Sequence, residues 1–140
     1  MGASGFIGRW VAHYLNQIGA KLHLPVRDYE SAKQTFFDYQ ISGEVSELDL
    51  MEFSTVEKFF EEVKPSITFN LCGYGVDRSE RDPQIAERIN QDLIGHLGKG
   101  LKKTSDRSWT GLNLVHVGTA LEYGAINGNL SENSLSHPTT

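Results

Sequence analysis

Apolar residues along this chain alternate between two periods. Over the first stretch Phe6, Ile7, Trp10, Val11, Tyr14, Leu15 and Ile18 recur at the spacing of one helix face, and Gly19 supplies a stop. From Ala20 to Val26 the period falls to two. Leu22, Leu24 and Val26 lie on one side and Lys21, His23 and Pro25 on the other, which predicts a strand weakened near its end where Pro25 lacks a ladder donor. Asp28 can cap a helix over roughly Tyr29 to Tyr39, and Val45 to Leu48 reads as a short strand. Ser54-Thr55-Val56-Glu57 has the form of a capping box, with Val56, Phe59, Phe60 and Val63 as the buried face before Lys64-Pro65 ends the helix. Ser66 to Cys72 is mostly apolar and bounded by Pro65 and Gly73 too closely for a helix, so a buried strand is expected. Asp82-Pro83 then places a cap before Pro at the first helical position, and Ile85, Ile89, Leu93, Leu97 and Leu101 continue one stripe. Gly111 to Thr119 alternates through Leu112, Leu114, Val115 and Val117 into a last strand, and beyond Gly124 the chain is polar and loop-like.

Helices alternating with strands predict an α/β fold of the Rossmann type, a doubly wound parallel sheet covered on both faces. The glycine-rich start needs a strand ahead of Gly2 to launch it, and in the order 3-2-1-4-5-6 that strand is central. The expectation is therefore a truncated sheet with a gap between the strands around Leu22 and Phe69, and an isolated piece of doubtful stability.

Composition narrows the function. The 140 residues, 39% hydrophobic and 22% charged, suffice for one domain and not two. A net charge of −5 argues against a nucleic-acid footprint, which needs clustered Lys and Arg. No apolar run approaches the ~18 residues of a spanning helix, so no membrane partner is expected. The glycines at the start do not have the form of a secretory leader, and a lone cysteine, Cys72, suits a reducing compartment. A cytoplasmic protein is expected. His13, His23, His96, His116 and His137 share no metal-ligand spacing, so no metal is expected. Glu57, Glu61 and Glu62 read as a solvated helix face.

The chemistry begins at Gly2, Gly5 and Gly8, a G-x-x-G-x-x-G turn opening directly into a helix. Such a turn admits a pyrophosphate to backbone N–H groups at the positive end of the helix dipole. Gly2-Ala3-Ser4-Gly5-Phe6-Ile7-Gly8 resembles the turn of the extended short-chain dehydrogenase/reductases, the NAD-dependent epimerase/dehydratase family. The resemblance continues in order through Asp49-Leu50, Lys64 to Gly73, Asn90, Val115 to Gly124, and the stretch holding Glu132 and Pro138. Cys72-Gly73 departs from the usual pair of small alanine-like residues, and Leu93 stands where the family commonly has glycine.

By this resemblance Gly2, Ser4, Gly5, Phe6, Ile7 and Gly8 hold the dinucleotide phosphates. Asp49 and Leu50 lie beside the adenine, Leu71, Cys72 and Gly73 near the cofactor ribose, and Asn90 in the next helix. Residues 1–140 are then a partial NAD(P)-binding domain. Asp28 stands at the distance from Gly8 where an acidic residue usually binds the ribose hydroxyls. Arg27 beside it can instead form a bidentate pair with a 2′-phosphate. Val26-Arg27-Asp28 resembles the NADP-using reductases of the family, so NADP is favoured, with NAD the alternative; Lys33 is a further candidate to assist Arg27.

Thr119 is by resemblance the catalytic hydroxyl that bonds the substrate oxygen, while a Tyr with a Lys four residues later exchanges the proton. The chain reaches Thr140 before that pair is due. Tyr123 is followed four later by Asn127, and the one Tyr-x-x-x-Lys present, Tyr29 to Lys33, belongs to a helix after the second strand. The implied protein is a longer NAD(P)-dependent epimerase, dehydratase or reductase acting by hydride transfer on a small molecule, with a nucleotide sugar expected. Its specificity would reside in a C-terminal region, a homodimer is possible for the full-length protein, and the 140 residues alone are expected to be inactive. The alternative is a non-catalytic NADP-binding sensor or regulatory domain of the same fold.

Overall fold

Parallel strands cannot be joined by hairpins, so helices must carry the chain from one to the next. The computed structural model, which describes residues 1–75, 79, 82–104, 110–126 and 128–138, follows that rule. In chain order the elements are α1 (Phe6–Gln17), β1 (His23–Val26), α2 (Tyr29–Asp38), β2 (Glu44–Glu47), α3 (Phe53–Val63), β3 (Thr68–Asn70), α4 (Pro83–Glu87), a π-helical turn (Arg88–Asp92), α5 (Leu93–Thr104), β4 (Leu114–His116) and a 3-10 turn (Ala120–Tyr123). Asn127 and Thr140 lie outside the described residues. Among the described residues no helix is long and apolar enough to cross a membrane.

β1 pairs with β2 and β3 with β4, both parallel, with Leu24 opposite Val45 and Asn70 opposite His116. The two pairs form separate two-stranded sheets. Between β1 and β3 lies a cavity of about 480 Å³, lined by Leu22 and Phe69 from the strand segments, Val11 and Leu15 from α1, and Phe59 and Val63 from α3. Leu22 and Val26 send their carbonyls to Glu44 and Leu48 on the β2 side. Alternate positions in a parallel strand point the other way, so Pro25 turns its missing donor away from β2 and breaks no bond to it. Met1 runs beside β3, its amine donating to the Phe69 carbonyl (2.6 Å) and its carbonyl accepting from Leu71 N–H (3.2 Å).

Two apolar clusters hold the elements. One joins Ala12 of α1 to Leu24 and Val26 of β1, Ala32 and Phe36 of α2, and Ile41. The other packs Val56 and Phe60 of α3 against Leu93, Leu97 and Leu101 of α5, with Leu48 beneath. Of the predicted stripe, Leu93, Leu97 and Leu101 are buried in this contact, whereas Ile85 and Ile89 are only half-buried.

Several local expectations need correction. The α1 stripe is not buried as a whole: Phe6, Ile7, Trp10, Tyr14 and Ile18 are exposed, and the buried positions are Gly8 and Ala12. The helix approaches its neighbours through its small residues. The capping box of α3 is not made either. The helix starts at Phe53, no side chain caps it, and Glu57 turns to α5 instead. There Glu57 accepts from His96 Nδ1 (2.8 Å) and pairs with Lys103 Nζ (3.1 Å), while Glu61 also meets Lys103 (3.4 Å). These glutamates therefore cross-link two helices; they are not merely a solvated face. The last two strands are shorter than the apolar runs that predict them, because only Thr68–Asn70 and Leu114–His116 find each other in register. Leu112 and Val117 remain exposed.

Hydrogen bonding by His96, then by Lys103, holds the Glu57 carboxyl below the usual glutamate value of 4.5. Glu57, followed by Glu61, holds the Lys103 ammonium above the usual 10.5. The stabilisation is therefore complete between those two values. It is lost as pH falls through the depressed Glu57 titration or rises through the elevated Lys103 titration. Thermal melts from pH 7 to pH 3 should show Glu57→Gln melting below wild type at neutral pH, with the difference closing in acid. A difference that persists unchanged at pH 3 would remove the carboxylate from the account.

Candidate functional site

The glycine turn is built by close backbone approach. Gly2 adopts a positive φ of 73°, and a Cβ on it would lie 2.9 Å from both the carbonyl carbon and oxygen of Leu71. A Cβ on Gly8 would fall onto the Gly2 carbonyl oxygen and within 2.9 Å of Ala3 Cα. No side chain fits at either place. The turn closes through Gly5 N–H to the Gly2 carbonyl (3.0 Å), and Gly5 becomes the N-cap of α1 without any side-chain cap. The N–H groups of a first helical turn lack intrahelical partners, so those of Phe6, Ile7 and Gly8 are directed at whatever lies before the helix. Ser4 is partly exposed, and Gly5, Phe6 and Ile7 are exposed. An uncapped helix N-terminus behind a turn that only glycines can form suits an anionic diphosphate.

The turn sits on the end of β3. Leu71 and Cys72 are partly buried and Gly73 is exposed. Burial pushes the Cys72 thiol above its usual range, which makes it a poor nucleophile and a good packing group. Asn90 reaches the same segment from the π-helical turn: its Oδ1 accepts from Tyr74 N–H (2.9 Å) and its Nδ2 donates to the Tyr74 carbonyl (2.9 Å). Asn90 therefore clamps the loop after β3 with both ends of its amide. An extra residue in a helical turn re-aims the side chains beside it, and such turns recur at functional sites. Here the π turn is fastened by Arg88, which donates to the Met51 carbonyl (2.5 Å) and lies over the Phe53 ring, itself stacked on His96.

Thr119 follows β4 by three residues and is exposed. It is the N-cap of the 3-10 turn, its Oγ1 accepting from Leu121 N–H (3.2 Å). A hydroxyl accepting that bond still has its own proton to donate. β3–β4 pairing brings Thr119 and the Leu71–Gly73 segment to the same, C-terminal end of one sheet.

Arg27 and Asp49 lie at the C-terminal end of the other sheet. Arg27 follows β1, is exposed, and forms no ion pair among the described residues. Asp28 beside it is committed to capping α2, accepting from Ser31 N–H (3.2 Å). Asp49 folds back on its own loop, accepting from Met51 N–H (2.9 Å), and Leu50 packs against the α3–α5 cluster. Tyr29 and Lys33 stand on the exposed start of α2, where Lys33 approaches Glu30 (3.8 Å), so this Tyr–Lys pair is a surface feature. Among the described residues no group of three His, Cys, Asp or Glu side chains could hold a metal ion.

Sequence reasoning did not find the Asn70–His116 contact or the π turn. Asn70 could have been suspected, since a polar residue inside the apolar run Ile67 to Leu71 needs a partner. The π turn carries no such signal.

The model of a family described as NAD dependent epimerase/dehydratase matches residues 1–140. Among solved structures, the UDP-Glc/GlcNAc 4-epimerase from Campylobacter jejuni superposes with a TM-score of 0.79 at 19% identity, over 98% of this chain and 41% of that one. A short-chain dehydrogenase from Sphingobium yanoikuyae in complex with NADPH gives 0.65 at 20% identity, over 88% and 53%. A short-chain dehydrogenase/reductase from Vibrio parahaemolyticus gives 0.70 at 22% identity, over 86% and 57%. This chain thus spans about half the length of these structures. No curated protein matches the sequence.

Replacing Gly8 by Ala should destabilise the protein by about 1–3 kcal/mol, because the methyl group has no space beside the Gly2 carbonyl. Chemical denaturation of the variant checks this, and an unchanged midpoint would contradict the tight turn.

Proposed function

Because the chain belongs to the NAD dependent epimerase/dehydratase family, we propose that it is the cofactor-binding part of a longer oxidoreductase that uses NADP(H). The observation that carries the reading is the turn in which a Cβ at Gly2 or Gly8 would strike backbone. That close approach leaves the α1 N-terminus open to a pyrophosphate, so the residues present fit a dinucleotide. Gly2, Ser4, Gly5, Phe6, Ile7 and Gly8 hold the phosphates, Leu71 to Gly73 flank the ribose, and Asp49 with Leu50 borders the adenine. Asn90 acts on this site by holding the Tyr74 loop.

Preference for the 2′-phosphate is assigned to Arg27. The side chain is exposed, while Asp28, the residue that would select ribose hydroxyls, is occupied in capping α2. A guanidinium meets a phosphate with two parallel bonds. The bound cofactor supplies hydride transfer. On the protein's side, Thr119 Oγ donates a hydrogen bond to the substrate oxygen and orients the carbon that exchanges hydride. Proton exchange at that oxygen requires a Tyr whose pKa is lowered by a Lys, and the Tyr29–Lys33 pair on α2 does not serve. We assign that step to the longer protein, so the 140 residues alone should show no turnover. A nucleotide sugar is the proposed substrate, in keeping with the epimerase that this chain resembles in fold.

The test is a fluorescence titration of the full-length protein with NADPH and NADH. Arg27→Ala should weaken NADPH binding about 10- to 100-fold, the value of a charged hydrogen-bonded pair, and leave NADH within about threefold. Equal effects on both would remove Arg27 from cofactor choice. Turnover by residues 1–140 alone would overturn the assignment of proton exchange.

A further inference from the structure

Asn70 is fully buried, with 0% of its surface exposed, on a strand whose neighbours are apolar. Its amide is engaged at both ends. Nδ2 lies 3.1 Å from His116 Nδ1, and Oδ1 accepts from Cys72 N–H at 3.4 Å. In this orientation the NH2 of Asn70 faces His116 and its carbonyl oxygen faces the Cys72 N–H. Nδ2 has only hydrogens to offer, so His116 Nδ1 must accept.

The far end of this short chain of contacts is the glycine turn. Cys72 N–H belongs to the Leu71–Cys72 peptide, and a Cβ on Gly2 would lie 2.9 Å from the Leu71 carbonyl oxygen and 3.1 Å from Cys72 N. At Gly2 the turn is seated against that peptide. Asn70 also takes Val117 N–H on its backbone carbonyl (3.1 Å), so the strand leading to Thr119 is held at the same residue. His116 itself is exposed, placing one end of the contact chain in solvent and the other under the phosphate turn.

We propose that Asn70 and His116 form a positioning pair: His116 fixes the Asn70 amide, which fixes the Leu71–Cys72 peptide on which Gly2 is seated. The pair thereby sets affinity for the dinucleotide without touching it. It rests on the cofactor reading above and adds two residues to it. Because the peptide lies under the phosphate turn and away from Arg27, the pair acts on both nicotinamide cofactors alike. A purely structural tie between β3 and β4 would instead change melting temperature and leave the affinity of the folded protein alone.

The experiment uses the full-length protein and three variants, each confirmed folded by its melting curve. His116→Leu and Asn70→Leu remove the contact; His116→Asn keeps an acceptor where Nδ1 stood. The two leucine variants should raise the Kd of NADPH and of NADH about tenfold, the scale of one lost hydrogen bond, with their ratio unchanged. His116→Asn should return both to within about threefold of wild type, and the double leucine variant should bind no worse than Asn70→Leu alone. In wild-type protein the His116 ring should show an unprotonated Nδ1 in its nitrogen NMR spectrum at neutral pH. Folded leucine variants with wild-type affinity, an asparagine variant no better than leucine, or a protonated Nδ1 would each overturn the pair. Wild-type protein that binds neither dinucleotide would overturn the cofactor reading itself and the pair's role with it.

Discussion

Everything in this chain that bears on function depends on one close contact between two pieces of backbone. The glycine turn lies on the peptide that ends β3, at a separation where no side chain can intervene. Backbone can approach backbone only where Cβ atoms are missing, so Gly2 and Gly8 are fixed by geometry. The contact sets where α1 begins, and hence where its unpaired N–H groups point. It also makes the exact position of the Leu71–Cys72 peptide consequential, because a shift there moves the floor of the turn.

Around that contact the structure spends its polar side chains on loops and strand ends. Asn70 and Asn90 both bond the four-residue segment from Leu71 to Tyr74, one from β3 and one from the π turn. Asn90 commits both ends of its amide there, while Asn70 gives the segment its Oδ1 and turns its Nδ2 to His116. A segment held in this way gains definition that apolar packing alone does not supply, since hydrogen bonds are directional and the hydrophobic effect is not. The cavity between β1 and β3 contrasts with this. Its apolar lining comes from both sheets and from α1 and α3, yet β1 and β3 share no hydrogen bonds across it. The two clusters on either side are well packed, and the polar bonds converge on the turn beside it.

Much of the architecture was legible because it follows from local rules. Asp82-Pro83 starts a helix as its chemistry dictates, with Asp82 accepting from Gln84 and Ile85 N–H, and Asp28 caps α2. Leu93, Leu97 and Leu101 are buried at the spacing that marks them as one face. Where two local rules competed, contacts between elements chose. Ser54 and Glu57 have capping-box spacing, but Glu57 finds an imidazole and an ammonium on α5 and is drawn away from the helix end. The wide apolar face of α1 was legible as a helix and misleading as a buried surface, because the small residues Gly8 and Ala12 make the close approach.

By itself the sequence determined the alternation of helices and parallel strands, the glycine turn and the family to which the chain belongs. Each of these is written in residues near one another, where spacing and conformational preference suffice. Tertiary structure alone decided which strands pair and over how many residues, that Asp28 is taken by α2 while Arg27 is left open, and that an extra residue in the helix aims Asn90 at Tyr74. It also decided that a buried asparagine on β3 meets a histidine on β4. These contacts join residues far apart in sequence, and whether two such side chains meet depends on register and packing that no local pattern encodes.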